Sequence, residues 1–213
     1  MCGLLPTLVP AATAQRLYEA EISLEQRSGA ARRDGELEAL RAVLVKVSGR
    51  DDDTVDSILR DVGTDIADMV EQTQWRQPEG QSSSVSLWVR FDANAVEALL
   101  FDAGVSVWPR TRPRTILLAA LDEAGVRTVL GADDGSPLPA AFIREAERRG
   151  LPFVLPLMDL KDRRSLSPAD VWGGFVTALA RNAVRYRAEA IIAVRASKVD
   201  TELWDAAWTL TMG

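Results

Sequence analysis

The chain contains no histidine, and its only cysteine, Cys2, lies next to the first residue. Histidine is the usual general base near neutral pH and the commonest metal ligand, and thiolates supply most remaining soft metal sites and many nucleophiles. These absences exclude a Ser-His-Asp triad and a zinc site of histidine and cysteine. No lysine follows a serine at the Ser-x-x-Lys spacing either. We therefore expect a non-enzymatic protein with no catalytic residues, no metal and no cofactor.

Basic residues are fewer than acidic ones, and long apolar runs are missing. The net charge is -6 and the isoelectric point is near 4.9, whereas a general nucleic-acid binder normally has a basic face. No apolar run reaches the length of a transmembrane helix. At 213 residues with 47% apolar residues, the chain can bury a sufficient core without disulfides. We expect no nucleic-acid partner and no integral membrane span.

Charge is also absent from residues 1–14, which are mostly small or apolar. The segment ends in Ala12-Thr13-Ala14, the small-x-small pattern of a signal-peptidase site. A positive n-region is missing and the apolar part is short. The segment predicts a secretory signal remnant cleaved near Ala14, a mature chain beginning at Gln15 and a periplasmic location. The alternative is the N-terminal tail of a cytosolic protein.

The pattern of residues 15–107 predicts one small domain of a sheet and helices. Alternation predicts a strand over Arg16–Leu24 and another over Val85–Phe91. Helical spacing predicts a helix over Glu36–Val47, which ends at Gly49. The other expected elements are a helix that Asp51–Asp53 cap and that runs to Val70, a strand from Trp75, a turn at Gly80–Ser84 and a helix that Asp92 caps.

Residues 108–113 are predicted to link two domains, since Pro109 and Pro113 stiffen this stretch. Arg110, Arg112 and Arg114 keep it solvated; the alternative is that these arginines hold an anionic lipid or glycan.

Residues 114–213 predict a second domain. The expected strands are Ile116–Leu121, Val126–Leu130, Phe153–Leu157, Ala190–Val194 and Trp204–Met212. The expected helices are Pro139–Arg149 and one that begins at Ser167-Pro168 and continues to Tyr186. The predicted fold class is α/β of the α+β type, in two small domains with mixed sheets and helices mainly on one face. The last strand stops abruptly, as if a longer protein continued, and its free edge could pair with another chain.

Five short motifs together resemble one bacterial family. They are Leu-Val-Lys-Val-Ser-Gly at 44–49, Leu-Gly-Ala-Asp-Asp at 130–134, Arg-Gly-Leu-Pro at 149–152, Leu-Pro-Leu-Met-Asp at 155–159 and Asp-Val-Trp-Gly-Gly-Phe at 170–175. Their order and spacing resemble the proteobacterial domain-of-unknown-function family 2066 (DUF2066), whose members carry a secretion signal and run longer. The resemblance implies an exported protein but no activity. Residues 114–213 are also similar, at fold level, to the N-terminal domain of the TolB envelope protein, which does not fix function.

The most unusual local feature is Trp172-Gly173-Gly174, since two glycines in a predicted helix cost about 1 kcal/mol each relative to alanine. One interpretation is a groove where a partner approaches, with Trp172 as a platform; the other is close packing. Asp170, Asp159 and Trp108 are the further candidate partner-binding residues. Trp204 and Trp208 share one face of the last strand and are predicted to be core residues, which would bind only if that face were open.

Aspartates of the second half offer one alternative chemistry. Asp133, Asp134 and Asp159 could form a carboxylate-only site for glycan hydrolysis, which requires two carboxylates about 5–10 Å apart in a cleft. The structural interpretation makes them turn and cap residues. The leading expectation is therefore a non-enzymatic cell-envelope module that binds other envelope proteins or takes part in envelope assembly. The alternatives are a peptidoglycan or saccharide binder using Trp172 or Trp108, and the carboxylate hydrolase.

Overall fold

A computed structural model describes residues 15–63, 65–77, 85–201 and 203–212. The leader at 1–14 and the turn at 80–84, both expected from the sequence, lie outside these ranges. The α/β class is confirmed. The chain divides into two compact units between Thr111 and Arg112, and this division falls inside the stretch 108–113.

The first unit has a three-stranded antiparallel sheet, where the sequence suggested a mixed one. Its strand order is β1-β3-β2, and two short 3-10 turns precede β1 and β2. The elements are β1 (Glu19–Leu24), α1 (Gly29–Ser48), α2 (Asp53–Val62), β2 (Val70–Arg76), β3 (Val85–Phe91) and α3 (Ala93–Asp102).

Helix α1 packs against the inner face of this sheet. A Cβ on Gly35 would lie 3.0 Å from side-chain atoms of Leu24 and Leu87, so glycine permits the close approach of helix and strands. The core is formed by alternating strand residues and by the apolar stripe of α1, and it includes Ile22, Leu40, Leu44, Leu87, Val89 and Phe91.

Several boundaries of the first unit differ from expectation. Helix α1 begins at Gly29 and strand β2 at Val70, before the predicted starts at Glu36 and Trp75. The prediction of one helix continuing to Val70 is wrong, since α2 ends at Val62, where Gly63 adopts a φ of +49°. Val70 instead pairs with Phe91 in the sheet. The first strand begins at Glu19, three residues later than predicted. The expected caps are confirmed, as Asp52 and Asp92 accept hydrogen bonds from the amides of the first turns of α2 and α3.

The second unit is a mixed five-stranded sheet. Its strands are β4 (Thr115–Glu123), β5 (Val126–Val129), β6 (Phe153–Val154), β7 (Ala190–Lys198) and β8 (Trp204–Met212), and its helices are α4 (Leu138–Arg148), α5 (Leu160–Ser165), α6 (Pro168–Trp172) and α7 (Val176–Arg185). The central strand β4 is antiparallel to β5 and parallel to β6 and β7. Strand β8 pairs antiparallel with β7 and is the edge strand of the sheet as far as the described residues show.

The two faces of this sheet carry separate cores. Ile116 and Leu118 point toward α6 and α7 and pack with Val171, Leu179 and Ile191. The intervening residues point to the other face, where Leu117, Ala119, Leu130 and Leu155 pack with residues of α4. Helices therefore lie on both faces of the second sheet, with α4 alone opposite α6 and α7.

The stretch 108–113 is more firmly held than a solvated linker. The Trp108 amide donates to the Val47 carbonyl at 2.8 Å, and Arg110 pairs with Glu97 at 2.8 Å. The prediction that the arginines are merely solvated is wrong for Arg112, which is only 7% exposed. Its guanidinium donates to the carbonyls of Arg149 and Gly150 at 2.7 and 2.9 Å. Carbonyls at a helix end need donors, and Arg112 supplies them for α4.

Candidate functional site

Gly173 and Gly174 end one helix and allow the next to begin, so the prediction of a single helix through them is wrong. Gly174 has a φ of +65°. Its amide donates to the Val171 carbonyl at 3.2 Å, and the Phe175 amide donates to the Asp170 carbonyl at 2.9 Å. These two bonds are a Schellman motif, in which a left-handed residue closes the helix end. The glycine pair was the sequence signal for this end.

The start of α6 was predicted correctly, and Asp170 forms hydrogen bonds with Ser167 there. The Ser167 hydroxyl accepts from the Asp170 amide at 3.2 Å, and the Asp170 carboxylate accepts from the Ser167 amide at 2.8 Å. These bonds form a capping box. Hydrogen bonds from Ser167 hold the pKa of the Asp170 carboxyl below its usual range. Asp170 therefore positions the helix beside the groove described next.

A groove of about 260 Å³ lies between the break in the helices and the sheet of the second unit. Its wall is formed by the end of α6 and the start of α7, at Val171, Trp172, Gly173, Gly174, Val176 and Leu179. Its floor is formed by one face of β7 and β8, at Ile191, Ala193, Arg195, Ala207, Thr209 and Thr211. Three of the six candidate residues, Trp172, Gly173 and Gly174, are thus brought together at a concave surface.

Strand β8 is open on its other face as well. Trp208, Leu210 and Met212 are 71%, 53% and 59% exposed, so the prediction that Trp208 is a core residue is wrong. Strand alternation places these side chains on the face opposite the groove floor, although Trp208 also lines the groove at the strand edge. Trp204 is partly buried, with the Lys198 ammonium 5.7 Å from its ring centroid.

The Trp172 indole is not a free platform. The Arg127 guanidinium carbon lies 3.9 Å from its ring centroid, within the range of a cation–π contact. Arg127 is held there by Asp122, whose carboxylate accepts from Nε at 2.9 Å. Trp172 also packs, partly buried, against the core beneath α6 and α7. The exposed indole at the groove is therefore Trp208.

Among the described residues, Arg195 is the one charged residue that lines the groove. It is exposed, and its guanidinium makes no hydrogen bond or ion pair with any residue that the structure describes. On β7 it is paired with Ala207 of β8, so its side chain lies on the groove face. The groove combines apolar walls, two threonine side chains and one unpaired cation.

Asp159 belongs to a separate polar cluster that fixes α5 to α7. Its carboxylate caps α5 by accepting from the amides of Lys161 and Asp162 at 3.0 Å and pairs with Arg185. Arg185 holds the pKa of the Asp159 carboxyl well below its usual range. A general acid for glycoside cleavage needs a raised pKa, so this environment gives Asp159 no support in that role.

Asp162, which no sequence pattern singled out, is the buried centre of that cluster. It is fully buried and accepts from the Met158 amide at 3.0 Å, the Tyr186 hydroxyl at 2.6 Å and Arg185. Burial, and then the bond to Asp162, raise the pKa of Tyr186. These bonds connect the start of α5 to the end of α7, and removing one partner of a buried charge is strongly destabilising.

The remaining candidates lie elsewhere. Asp134 accepts from the Ser136 amide at 2.9 Å in an exposed turn, and Asp133 is exposed beside it. Within the described ranges, no three acidic side chains gather in a way that could hold a metal ion. Trp108 belongs to the first unit, where its ring lies beside Gly49.

Comparison with known proteins bears on the first unit alone. The sequence profile of a family described as "Domain of unknown function (DUF8605)" matches residues 11–109, which is less than half of the chain and nearly the whole of that unit. This family differs from family 2066, so the resemblance to DUF2066 and the likeness to TolB stay predictions. No curated protein and no solved structure matches the chain. No helix of the described residues is long and apolar enough to cross a bilayer.

Proposed function

We propose that the protein is a non-enzymatic interaction module that adds an extended segment of another polypeptide to strand β8. The observation that carries this proposal is the exposure of β8 on both faces. An edge strand presents a row of unpaired backbone donors and acceptors, and peptide recognition by strand addition uses this row for affinity and side-chain pockets for specificity. The groove supplies a pocket on one face, and Trp208 and Leu210 supply apolar contacts on the other.

The side chains of β8 do little to discourage pairing. Natural edges are protected by lysines, prolines and inward-pointing charges. Asp205 is the single charge of β8, and the strand contains no proline. A groove of about 260 Å³ is smaller than most small-molecule pockets and suits one or two side chains of a bound strand.

Selection from a phage-displayed dodecapeptide library on the immobilised protein tests this proposal. We expect enrichment of peptides that alternate apolar and polar residues, because only these fit both faces of β8. Leu210→Lys should reduce this binding strongly. Val184→Lys is the matched control, since Val184 is an exposed apolar residue of α7 at 76% exposure. No enrichment, or equal binding by both variants, would contradict strand addition at β8.

The protein is further proposed to act in the cell envelope, with export directed by residues 1–14. Support comes from the uncharged leader and its Ala12-Thr13-Ala14 end. The intact mass of the native-gene product from fractionated cells tests this. A periplasmic product beginning at Gln15 is expected, and an uncleaved cytosolic product would contradict export.

Peptidoglycan binding is the second candidate, because the 71% exposed Trp208 indole lies beside a groove. Sugar rings stack on such exposed aromatic faces. Titration with soluble peptidoglycan fragments should then shift the tryptophan fluorescence of the protein but not of Trp208→Ala. An unchanged spectrum at millimolar fragment would remove this candidate.

A further inference from the structure

A strand added to β8 would continue the sheet, and the register of β7 and β8 fixes what each of its residues meets. Residues opposite Ala207 and Thr209 would face the groove, and those opposite Trp208 and Leu210 would face the exposed apolar side. Each face therefore selects a different chemistry in the incoming strand.

The groove face offers a charge without a partner. Arg195 is directly paired with Ala207, so Arg195, Ala207 and the residue opposite Ala207 would lie in one row across three strands. Neighbouring strands are about 4.8 Å apart. The long side chain of Arg195 can pass over the single methyl group of Ala207 and reach the neighbouring position. Asp205 lies on the same face of β8, diagonal to Arg195, but within the described residues it forms no ion pair with Arg195.

We infer that the segment bound at β8 carries a carboxylate at the position opposite Ala207, where the Arg195 guanidinium pairs with it. This inference rests on the proposed strand addition and names its specificity. The partner is an extended polypeptide with apolar residues on one face and an acidic residue on the other. Arg195 acts as the specificity-determining residue. Backbone hydrogen bonds to β8, together with apolar contacts to Trp208 and Leu210, supply the part of the binding that depends little on the partner's sequence.

A second copy of the chain is the competing occupant. Asp205 lies on the groove face of β8, since it alternates with Trp204 and is paired with Ser197. Antiparallel pairing of two β8 strands centred on Ala206 would place Asp205 of one copy opposite Ala207 of the other. That register pairs only residues 204–208, about half of the nine residues of β8, and leaves Leu210 and Met212 without a strand beside them. A separate polypeptide can cover the whole strand.

The test uses the full chain and two fluorescein-labelled nonapeptides that alternate valine with threonine. In one peptide the central threonine is replaced by glutamate, and in the other it is replaced by lysine. By anisotropy at low salt, the wild-type protein should bind the glutamate peptide about two- to fivefold more tightly, as expected for one exposed charge pair. Arg195→Glu should reverse this preference. Arg144→Glu, an equal charge change at an exposed residue of α4, should leave it unchanged.

The outcomes separate the two proposals. Equal binding of both peptides to wild type and Arg195→Glu would overturn the carboxylate inference and leave strand addition standing. Failure of both peptides to bind any form would overturn strand addition and the inference with it. Sedimentation of the unliganded protein decides the remaining case: a dimer that Arg195→Glu dissociates would make a second copy the occupant and overturn the separate partner.

Discussion

One strand tryptophan in each unit shows a difference in how far the unit's own side chains cover its surface. Trp88 lies on the outer face of the first sheet, yet it is only 6% exposed. The guanidinium carbons of Arg76 and Arg90 lie 4.7 and 4.9 Å from its ring centroid. Trp208, on the edge strand of the second sheet, is 71% exposed. The first unit covers its outer aromatic residue with its own side chains, whereas the second leaves one uncovered.

The cover over Trp88 is itself held in place. Arg76 pairs with Glu21 at 2.8 Å, and Arg90 pairs with Glu19 at 3.3 Å. Arginine stacks well on aromatic rings because its guanidinium is planar and weakly hydrated. Strand β8 has no comparable set of ion pairs, as its one charge is Asp205. Of these two strand tryptophans, the uncovered one therefore lies in the second unit, outside residues 11–109 that match a family model.

The largest expected effect on stability comes from removing the buried carboxylate of Asp162 in the second unit. Asp162→Ala leaves Arg185 and Tyr186 without their buried acceptor and should destabilise this unit by about 3–5 kcal/mol. The first unit should be unaffected. Urea unfolding followed by pulsed hydrogen exchange and mass spectrometry reads the two units separately.

Asp159→Ala is the control for this prediction, since it removes the exposed partner of the same arginine. An exposed pair contributes up to about 1 kcal/mol, and the cap of α5 that Asp159 also provides contributes about 1 kcal/mol more, so the loss should be smaller than for Asp162→Ala. Equal losses in the two variants would contradict the central place given to Asp162.

Exchanging the two strand tryptophans for alanine tests the comparison itself. Trp88→Ala should cost about 3 kcal/mol in the first unit, because a buried indole and its cation–π contacts are lost. Trp208→Ala should change stability by no more than about 0.5 kcal/mol, as for other exposed positions, while weakening peptide binding. Urea denaturation and anisotropy give the two values. A loss of stability for Trp208→Ala as large as for Trp88→Ala would mean that β8 is packed rather than open.

The helix end beside the groove gives a smaller effect. Gly174→Ala forces an L residue to a φ of +65° and should destabilise the second unit by about 1 kcal/mol. Helix α7 ends in the same motif with Arg187 at a φ of +53°. Arg187→Gly should therefore stabilise by about 0.5–1 kcal/mol. Thermal unfolding of the two variants should shift in opposite directions, and shifts of the same sign would contradict this account.

Each unit contains one tyrosine, and the ionisation of these two side chains gives the smallest of the expected effects. Burial, and then the hydrogen bond to Glu97, raise the pKa of Tyr18 to about 12, and the pKa of Tyr186 is also raised. Because the folded state favours the neutral Tyr18 hydroxyl, this preference adds to the free energy of unfolding. Its contribution is complete below pH 10 and is lost as the pH rises through about 12. Absorbance at 295 nm should show little ionisation near pH 10 in the folded protein. Ionisation of both tyrosines at pH 10 with native circular dichroism would contradict these environments.

Local sequence signals predicted the local features of this fold. Ser167 and Pro168 marked a helix start, Asp92 marked another, and the apolar run from Ile116 marked the central strand, because each depends on backbone chemistry within a few residues. The end of α6 was missed because helical spacing beyond Gly174 outweighed the glycine signal. A left-handed cap accounts for Gly174, whereas at Gly173 a Cβ would lie 3.0 Å from the Phe175 ring.

The candidate site was predicted only in part. Trp172, Gly173 and Gly174 do line the groove, but its other wall comes from strands far along the chain. Whether Trp208 is covered depends on which strand is at the sheet edge, and Arg112 is buried because a distant helix ends beside it. Such long-range placement leaves no pattern in the neighbouring sequence.

Hydrogen exchange of the full chain, with and without the glutamate peptide, tests the central claim most directly. Edge amides that lack partners exchange rapidly, and an added strand would protect them. We expect new protection confined to residues 204–212, with strands β1 to β3 of the first unit unchanged. Protection that appears elsewhere, or binding without protection of β8, would contradict strand addition at this edge.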